Sequence, residues 1–115
     1  MAHRKMEVIK RDDCDFELIF TDVDGNPIDL TGGTIFFTVK RSLHDDEVDA
    51  VVTKEITIFE NATGGIAVLS LTNTDTDIPA RSYYFDIQFK DSSDKISSIH
   101  AGRFIISQDI TIRTS

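Results

Sequence analysis

Strict alternation of apolar and polar side chains is the feature that most restricts how this chain can fold. The alternation is clearest in residues 82–90, with sequence SYYFDIQFK. A period of two residues places alternate side chains on opposite faces of a strand, whereas a helix needs a period of 3.6 residues. We therefore predict a strand whose core face carries Tyr83, Phe85, Ile87 and Phe89.

The same alternation recurs along the chain, with turn-forming sequences between the segments. Strands are predicted at 6–11, 14–21, 34–40, 50–59, 66–71, 82–90, in a segment ending near residue 101, and once or twice more from Arg103. Their core faces carry Cys14, Phe16, Leu18 and Phe20 in the second strand and Ile35, Phe37 and Val39 in the third. Strands 50–59 and 66–71 are predicted to form a hairpin, and Gly102 is predicted to break or bulge the chain.

Three polar segments are predicted to connect these strands. Asp24-Gly25 before Pro27 is typical of a tight turn, because glycine tolerates positive φ and proline cannot donate to a strand ladder. Residues 41–49 are expected to form a mobile surface loop. Residues 72–80 indicate a loop or a single helical turn closed by Pro79.

Seven to nine short strands at roughly ten-residue spacing predict an all-β fold. The chain has 115 residues, the size of one domain, and its 15 Ile, 12 Thr and 8 Phe suit pleated, half-buried surfaces. We predict an immunoglobulin-like antiparallel β-sandwich, with residues 1–11 as a basic arm and first strand and residues 12–115 as the sandwich domain. Tyr83 follows a polar corner, so it is either the tyrosine corner of such folds or a plain core tyrosine.

The charge distribution bears on partners and location. A net charge of −8 argues against nucleic acid as a partner, since a phosphate backbone needs a basic surface. The first eleven residues nevertheless carry +3, from four basic side chains and Glu7. This arm would dock on an acidic neighbour or remain a solvated terminus. The chain contains no apolar segment typical of a signal peptide or membrane span, which predicts synthesis in the cytoplasm and no membrane partner.

No set of residues indicates catalysis, a metal site or a cofactor. The histidines, His3, His44 and His100, lie far apart and in no metal-binding spacing. Cys14 is the one cysteine, flanked by acidic residues that raise a thiol pKa, and its inward phase favours a small core side chain over a nucleophile. Residues 22–26 fit a hairpin turn better than a calcium loop, because Phe20 stands where the first ligand would be. We therefore expect a protein that is not an enzyme.

One ordered set of motifs does indicate a family. It consists of DGNPIDLTG at 24–32, GGIAVLSL at 64–71, IPARSYYFDIQ at 78–88, AGRFII at 101–106 and DIT at 109–111. In this order the motifs resemble the N-terminal domain of phage baseplate upper proteins and related small immunoglobulin-like proteins of tailed phages. The resemblance covers about residues 16–111, which is nearly the whole chain.

The resemblance implies a structural subunit of a tailed-phage or prophage particle, in the tail or baseplate, that acts by protein–protein assembly. It further implies synthesis in the host bacterial cytoplasm, location in the virion, and contacts with other phage structural proteins and with copies of itself. Candidate interface residues are the basic Arg4 and Lys5, the out-of-phase aromatics Phe36, Phe59 and Tyr84, and Ile110 and Ile112 of a last edge strand. The alternatives are an adhesion or carbohydrate-binding immunoglobulin-like module and a small regulatory or inhibitory binder that acts in the cytoplasm.

Overall fold

The computed structural model describes residues 3–41 and 50–108, which form seven strands and no helix. The strands are β1 His3–Ile9, β2 Cys14–Ile19, β3 Thr34–Lys40, β4 Val52–Ile56, β5 Ile66–Leu71, β6 Ser82–Lys90 and β7 Ile96–Ser107. The alternation predicted β3 and β6 to the residue. The first strand begins at His3 rather than Met6, and the fourth is shorter than the predicted 50–59.

The strands form two sheets that pack as a sandwich. The larger sheet has five strands in the order β1-β7-β6-β3-β4, and the smaller sheet contains β2 and β5. β1 runs parallel to β7, and every other pair is antiparallel. This arrangement confirms the predicted immunoglobulin-like sandwich, and seven strands fall within the predicted number. The parallel β1–β7 pair is the one departure from the predicted antiparallel arrangement among the described strands.

The core lies between the two sheets and follows the predicted alternation. Every predicted core side chain of β3 and β6 is buried, and Leu18 and Phe20 close the core from the small-sheet side. Phe37 lies at its centre, with its ring centroid 6.0 Å from those of both Phe85 and Phe104. Contacts between aromatic rings at this distance add to the stabilisation that burial provides.

Tyr83 forms the tyrosine corner. Its side chain is 1% exposed, and its hydroxyl donates a hydrogen bond of 2.6 Å to the carbonyl oxygen of Pro79, four residues upstream. The preceding turn is held by Thr76, a buried residue whose hydroxyl donates to the carbonyl oxygen of Asp12 at 2.8 Å. The sequence left open a corner or a plain core tyrosine, and the geometry selects the corner.

The turn before β3 also follows the prediction. Gly25 has a φ of 84°, and an oxygen of the Asp22 carboxylate accepts hydrogen bonds of 2.9 Å from the amides of Asp24 and Asn26. In this turn the Asp22 carboxylate is engaged in hydrogen bonds to the local backbone.

Two predictions about the later strands were wrong. Strand β5 pairs with β2 rather than with β4, because residues 57–65 carry the chain from the larger sheet to the smaller one. β7 runs unbroken through Gly102, which pairs with Phe85. The irregularity is a bulge at Ile99. Ile87 pairs with His100 and Gln88 pairs with Ser98, so Ile99 is not paired with any residue of β6. Of the predicted loop 41–49, residues 42–49 lie outside the described residues.

Candidate interaction surface

The outer face of the five-stranded sheet, here called the large-sheet face, carries a row of basic side chains around a tyrosine. Lys40 pairs with Tyr84 across β3 and β6, and Tyr84 pairs with Arg103 across β6 and β7. Paired residues point to the same side of a sheet, so these three side chains lie next to one another. Tyr84 and Lys40 are partly buried, and Arg103 is exposed. We call these three residues the basic row.

A shallow groove of about 330 Å³ lies beside the basic row. Phe36 and Ile96 supply its apolar side chains, and Ile96 is 61% exposed. The other residues that line it are Thr38, Lys40, Thr53, Asp86 and Gln88. This mixture of an aromatic, an aliphatic and several polar side chains is typical of protein-binding surfaces.

Further basic groups lie at the same end of the sheet as the basic row. Burial raises the pKa of Tyr83, while the positive charges of Arg81 and Arg41 act in the opposite direction. The guanidinium carbon of Arg81 lies 5.3 Å from the Tyr83 ring centroid, and Arg81 and Arg41 are both exposed. The backbone of Lys5 in β1 pairs with Arg103. The basic side chains that the structure describes at this end are therefore Lys40, Arg41, Arg81 and Arg103. The large-sheet face also carries the carboxylates of Asp86, Glu55 and Glu7, which pair with Thr38, Phe36 and Ile105.

The opposite outer surface of the sandwich, here called the small-sheet face, is acidic and apolar. Asp15, Glu17 and Ile19 of β2 lie on it beside their β5 partners Ser70, Val68 and Ile66. Ile19 is 51% exposed and Val68 is 36% exposed. Residues 12–39, which include β2, contain seven Asp or Glu and no Lys, Arg or His. Lys54 of β4 lines a pocket together with Val68 and Ser70 of this face.

The structure separates the interface residues predicted from the sequence. Phe36 and Tyr84 both lie on the large-sheet face. Phe59 is partly buried and packs against the core, so it does not share a patch with them. The reason is that β4 ends at Ile56, and beyond that residue the strand period no longer determines where a side chain points.

The structure describes only part of the remaining predicted interface residues. The backbones of Arg4 and Lys5 belong to β1, where they pair with Gly102 and Arg103. Ile110 and Ile112 lie outside the described residues. Sequence reasoning missed Arg103 and Ile19, because only the cross-strand register shows which surface residues are neighbours.

An ion pair closes the side of the sandwich next to β4. The Lys54 ammonium lies 2.7 Å from a carboxylate oxygen of Asp75. Burial acts to raise the pKa of Asp75, but hydrogen bonds from Lys54 and Thr72 outweigh it and leave this pKa below its usual value. Lys54 pairs with the buried Phe37 and therefore points inward from an edge strand. An inward charge of this kind discourages another strand from pairing with the edge.

Cys14 behaves as a core side chain. It is partly buried against the core, and burial, followed by the charge of Asp15, raises the pKa of its thiol. The prediction of a small core side chain is therefore confirmed. His100 lies with its ring 6.0 Å from that of Phe20. Across residues 3–41 and 50–108, no group of three His, Cys, Asp or Glu side chains is placed to hold a metal ion.

Comparison of the sequence with protein-family models and with curated proteins finds no match. In the part of the chain that the structure describes, no helix has the length and apolar character needed to cross a membrane.

Proposed function

We propose that this protein is a non-enzymatic structural subunit of a tailed-phage or prophage particle, part of the tail or baseplate, that acts by assembling with other proteins. The observation that carries the proposal is the large-sheet face, on which Tyr84 lies between Lys40 and the exposed Arg103, with Phe36 farther along β3 on the same face. Tyrosine, phenylalanine and arginine are enriched where proteins bind one another, and a shallow face suits another protein better than a small molecule.

The phage setting is supported by the resemblance of residues 16–111 to baseplate and small tail proteins, together with the immunoglobulin-like sandwich. A phage particle contains many copies of such subunits. Contacts that are weak in one pair become sufficient when symmetry repeats them. A shallow, partly polar face is suited to this mode of assembly.

The proposal is tested on phage particles purified from a strain that encodes the protein. Quantitative mass spectrometry should find this chain in many copies per particle. In a strain deleted for the gene, wild-type protein and Lys95→Glu should restore its incorporation, whereas Arg103→Glu should reduce it. Lys95 is a suitable control because it is exposed in the β6–β7 hairpin, at the other end of the sheet from Arg103.

Absence of the chain from intact particles would overturn the proposal. A glycan array distinguishes the carbohydrate-binding alternative. Selective binding of the purified chain to one class of glycan, combined with its absence from particles, would favour that alternative.

A further inference from the structure

We propose that the free edge of strand β2 binds residues 109–115 of a second copy, which add to it as an extended strand. Residues 109–115, with sequence DITIRTS, are here called the tail segment. The inference rests on the proposed function and deepens it by naming one partner, the chain itself, while the large-sheet face is left for other proteins. Three properties support the contact: unpaired backbone groups on β2, an apolar cavity beside them, and a matching alternation in the tail segment.

One edge of β2 has no partner strand in the part of the chain that the structure describes. The small sheet contains β2 and β5 alone, and the Phe20 amide donates a hydrogen bond of 2.8 Å to the carbonyl oxygen of Gly65 on the β5 side. Backbone groups alternate in direction along an antiparallel strand, so those of Asp15, Glu17 and Ile19 point away from β5. Backbone donors and acceptors placed in this way accept a further strand.

A largely apolar cavity of about 150 Å³ lies beside this edge. Residues of β1, β2, β6 and β7 line it and none of β5 does, so the cavity lies on the free side of β2. Its apolar side chains include the buried Met6, Leu18 and Ile87, and its polar residues are Glu17 and His100. A cavity of this volume accommodates a small apolar group. An inward side chain of an added strand would therefore fill it.

The tail segment has the alternation that an added strand needs. In an extended conformation Ile110 and Ile112 share one face and Arg113 lies on the other. With isoleucine directed at the cavity, Arg113 lies on the outer face of the small sheet, where Glu17 supplies a carboxylate. Four of the seven residues are Ile or Thr, which favour strands. At roughly 3.3 Å per residue, the segment is long enough to follow the six residues of β2.

The order of the strands assigns the tail segment to the β2 edge of a second copy rather than to its own. The segment follows β7, which lies between β1 and β6, and residues 10–13 connect β1 to β2 at the same end of the sheet. This connection is fixed, because the Lys10 amide donates to the carbonyl oxygen of Ser107 at 2.9 Å and the Thr76 hydroxyl donates to that of Asp12 at 2.8 Å. To reach its own β2 edge the tail segment would have to cross the connection, and connections at one edge rarely cross.

Other sheet edges are less suited to the tail segment. The edge of β4 carries the inward Lys54. On β5, the outward backbone groups of Ile66 already exchange hydrogen bonds with Asn61. Strand β1 belongs to the first eleven residues, whose net positive charge repels Arg113. Since each copy has one β2 edge and one tail segment, the contacts either close in a reciprocal pair or continue from copy to copy.

The experiment is sedimentation velocity of the full purified chain from micromolar to millimolar concentration. Wild-type protein should self-associate, and Ile112→Asp should weaken association at least about tenfold, because it places a charge where an isoleucine would be buried. Glu17→Lys should weaken it about fivefold, and adding Arg113→Glu to that variant should restore association, because the charges are exchanged across the contact. Ile58→Asp and Glu60→Lys, matched changes at exposed positions between β4 and β5, should associate like wild type.

Mixing two variants provides the decisive measurement. Ile112→Asp retains an intact β2 edge, whereas Glu17→Pro removes an outward amide from that edge and retains an intact tail segment. An equimolar mixture should therefore form one-to-one dimers that grow no further, while each variant alone remains monomeric. Hydrogen exchange followed by NMR should slow at the amides of Asp15 and Ile19 when wild-type protein associates. Circular dichroism of each variant should show the wild-type spectrum, which excludes unfolding as the cause.

Wild-type protein that stays monomeric at millimolar concentration would refute the inference, as would association that Ile112→Asp leaves unchanged or a mixture that forms no dimer. These results leave the proposed function standing if particles contain the chain, since the contact would then be to a different protein. Association in solution combined with absence from particles would instead overturn the phage role and retain the contact between copies.

Discussion

Removal of the Tyr83 hydroxyl is a direct test of the corner that joins the turn at 72–80 to strand β6. In Tyr83→Phe the ring stays in the core, and the 2.6 Å hydrogen bond to the carbonyl oxygen of Pro79 is lost. Pro79 is exposed, so water can replace the donor to its carbonyl. The cost is then the net value of one hydrogen bond, about 1 kcal/mol, rather than the larger penalty of a buried unsatisfied group.

A loss of about 1 kcal/mol corresponds to a fall in Tm of about 4 °C for a domain of this size. Because the chain has no tryptophan, urea unfolding is best followed by far-ultraviolet circular dichroism. Tyr84→Phe is the matched control, since Tyr84 lies on the outer face and loss of its hydroxyl should change stability by less than about 0.5 kcal/mol. Equal stability of Tyr83→Phe and wild type, or an equal loss in the control, would refute the role of the corner.

Four further substitutions have defined outcomes. Gly65→Ala should cost about 3 kcal/mol in the same urea assay, because φ is 71° and the added Cβ would lie 2.5 Å from the carbonyl oxygen of Phe20. Gly25→Ala should cost only about 1 kcal/mol, since φ is 84° but no atom lies within 4 Å; equal losses would contradict this reasoning. Asp75→Asn should lower stability at neutral pH by about 1 kcal/mol, and the difference from wild type should vanish as pH falls below the usual aspartate value of 3.8 and through the lowered pKa of Asp75. A difference that persists in acid would contradict the ion-pair explanation. Lys54→Val should increase light scattering by concentrated protein, because it removes the inward charge from the β4 edge, and unchanged scattering would argue against edge protection.

The strands were predictable from the sequence because alternation is a local property. In β3 and β6 the period of two residues fixes both the strand and its buried face, and the burial of Phe37 and Phe85 follows from it. For Tyr83 the polar segment before it made a tyrosine corner one of two possibilities, and the hydrogen bond to Pro79 decided between them. The strands and their buried faces depend on residues that are close together in the sequence.

The pairing of the strands was not predictable in the same way. Two strands joined by a glycine-rich turn, as β4 and β5 are, either form a hairpin or belong to different sheets, and alternation is identical in the two cases. The choice depends on which core face the rest of the chain leaves uncovered. Likewise Gly102 looked like the point of irregularity, yet the extra residue is Ile99, because the register is set across β6 and β7. The candidate surface was unpredictable for the same reason. Lys40 and Arg103 are 63 positions apart in the sequence, and only the pairing of their strands with β6 makes both of them neighbours of Tyr84.

The contrast between edges and faces supports the proposal that the protein assembles through its faces. A sheet edge is the simplest place for a β-protein to associate, because its unpaired backbone groups accept a further strand. At β4 the inward Lys54, held 2.7 Å from Asp75, opposes that mode. The large-sheet face instead exposes Ile96 and part of Tyr84 among charges of both signs, and the small-sheet face exposes Ile19 and Val68 beside Asp15 and Glu17. A chain that protects this edge and leaves its faces accessible can bind another protein through a face while avoiding indiscriminate strand addition.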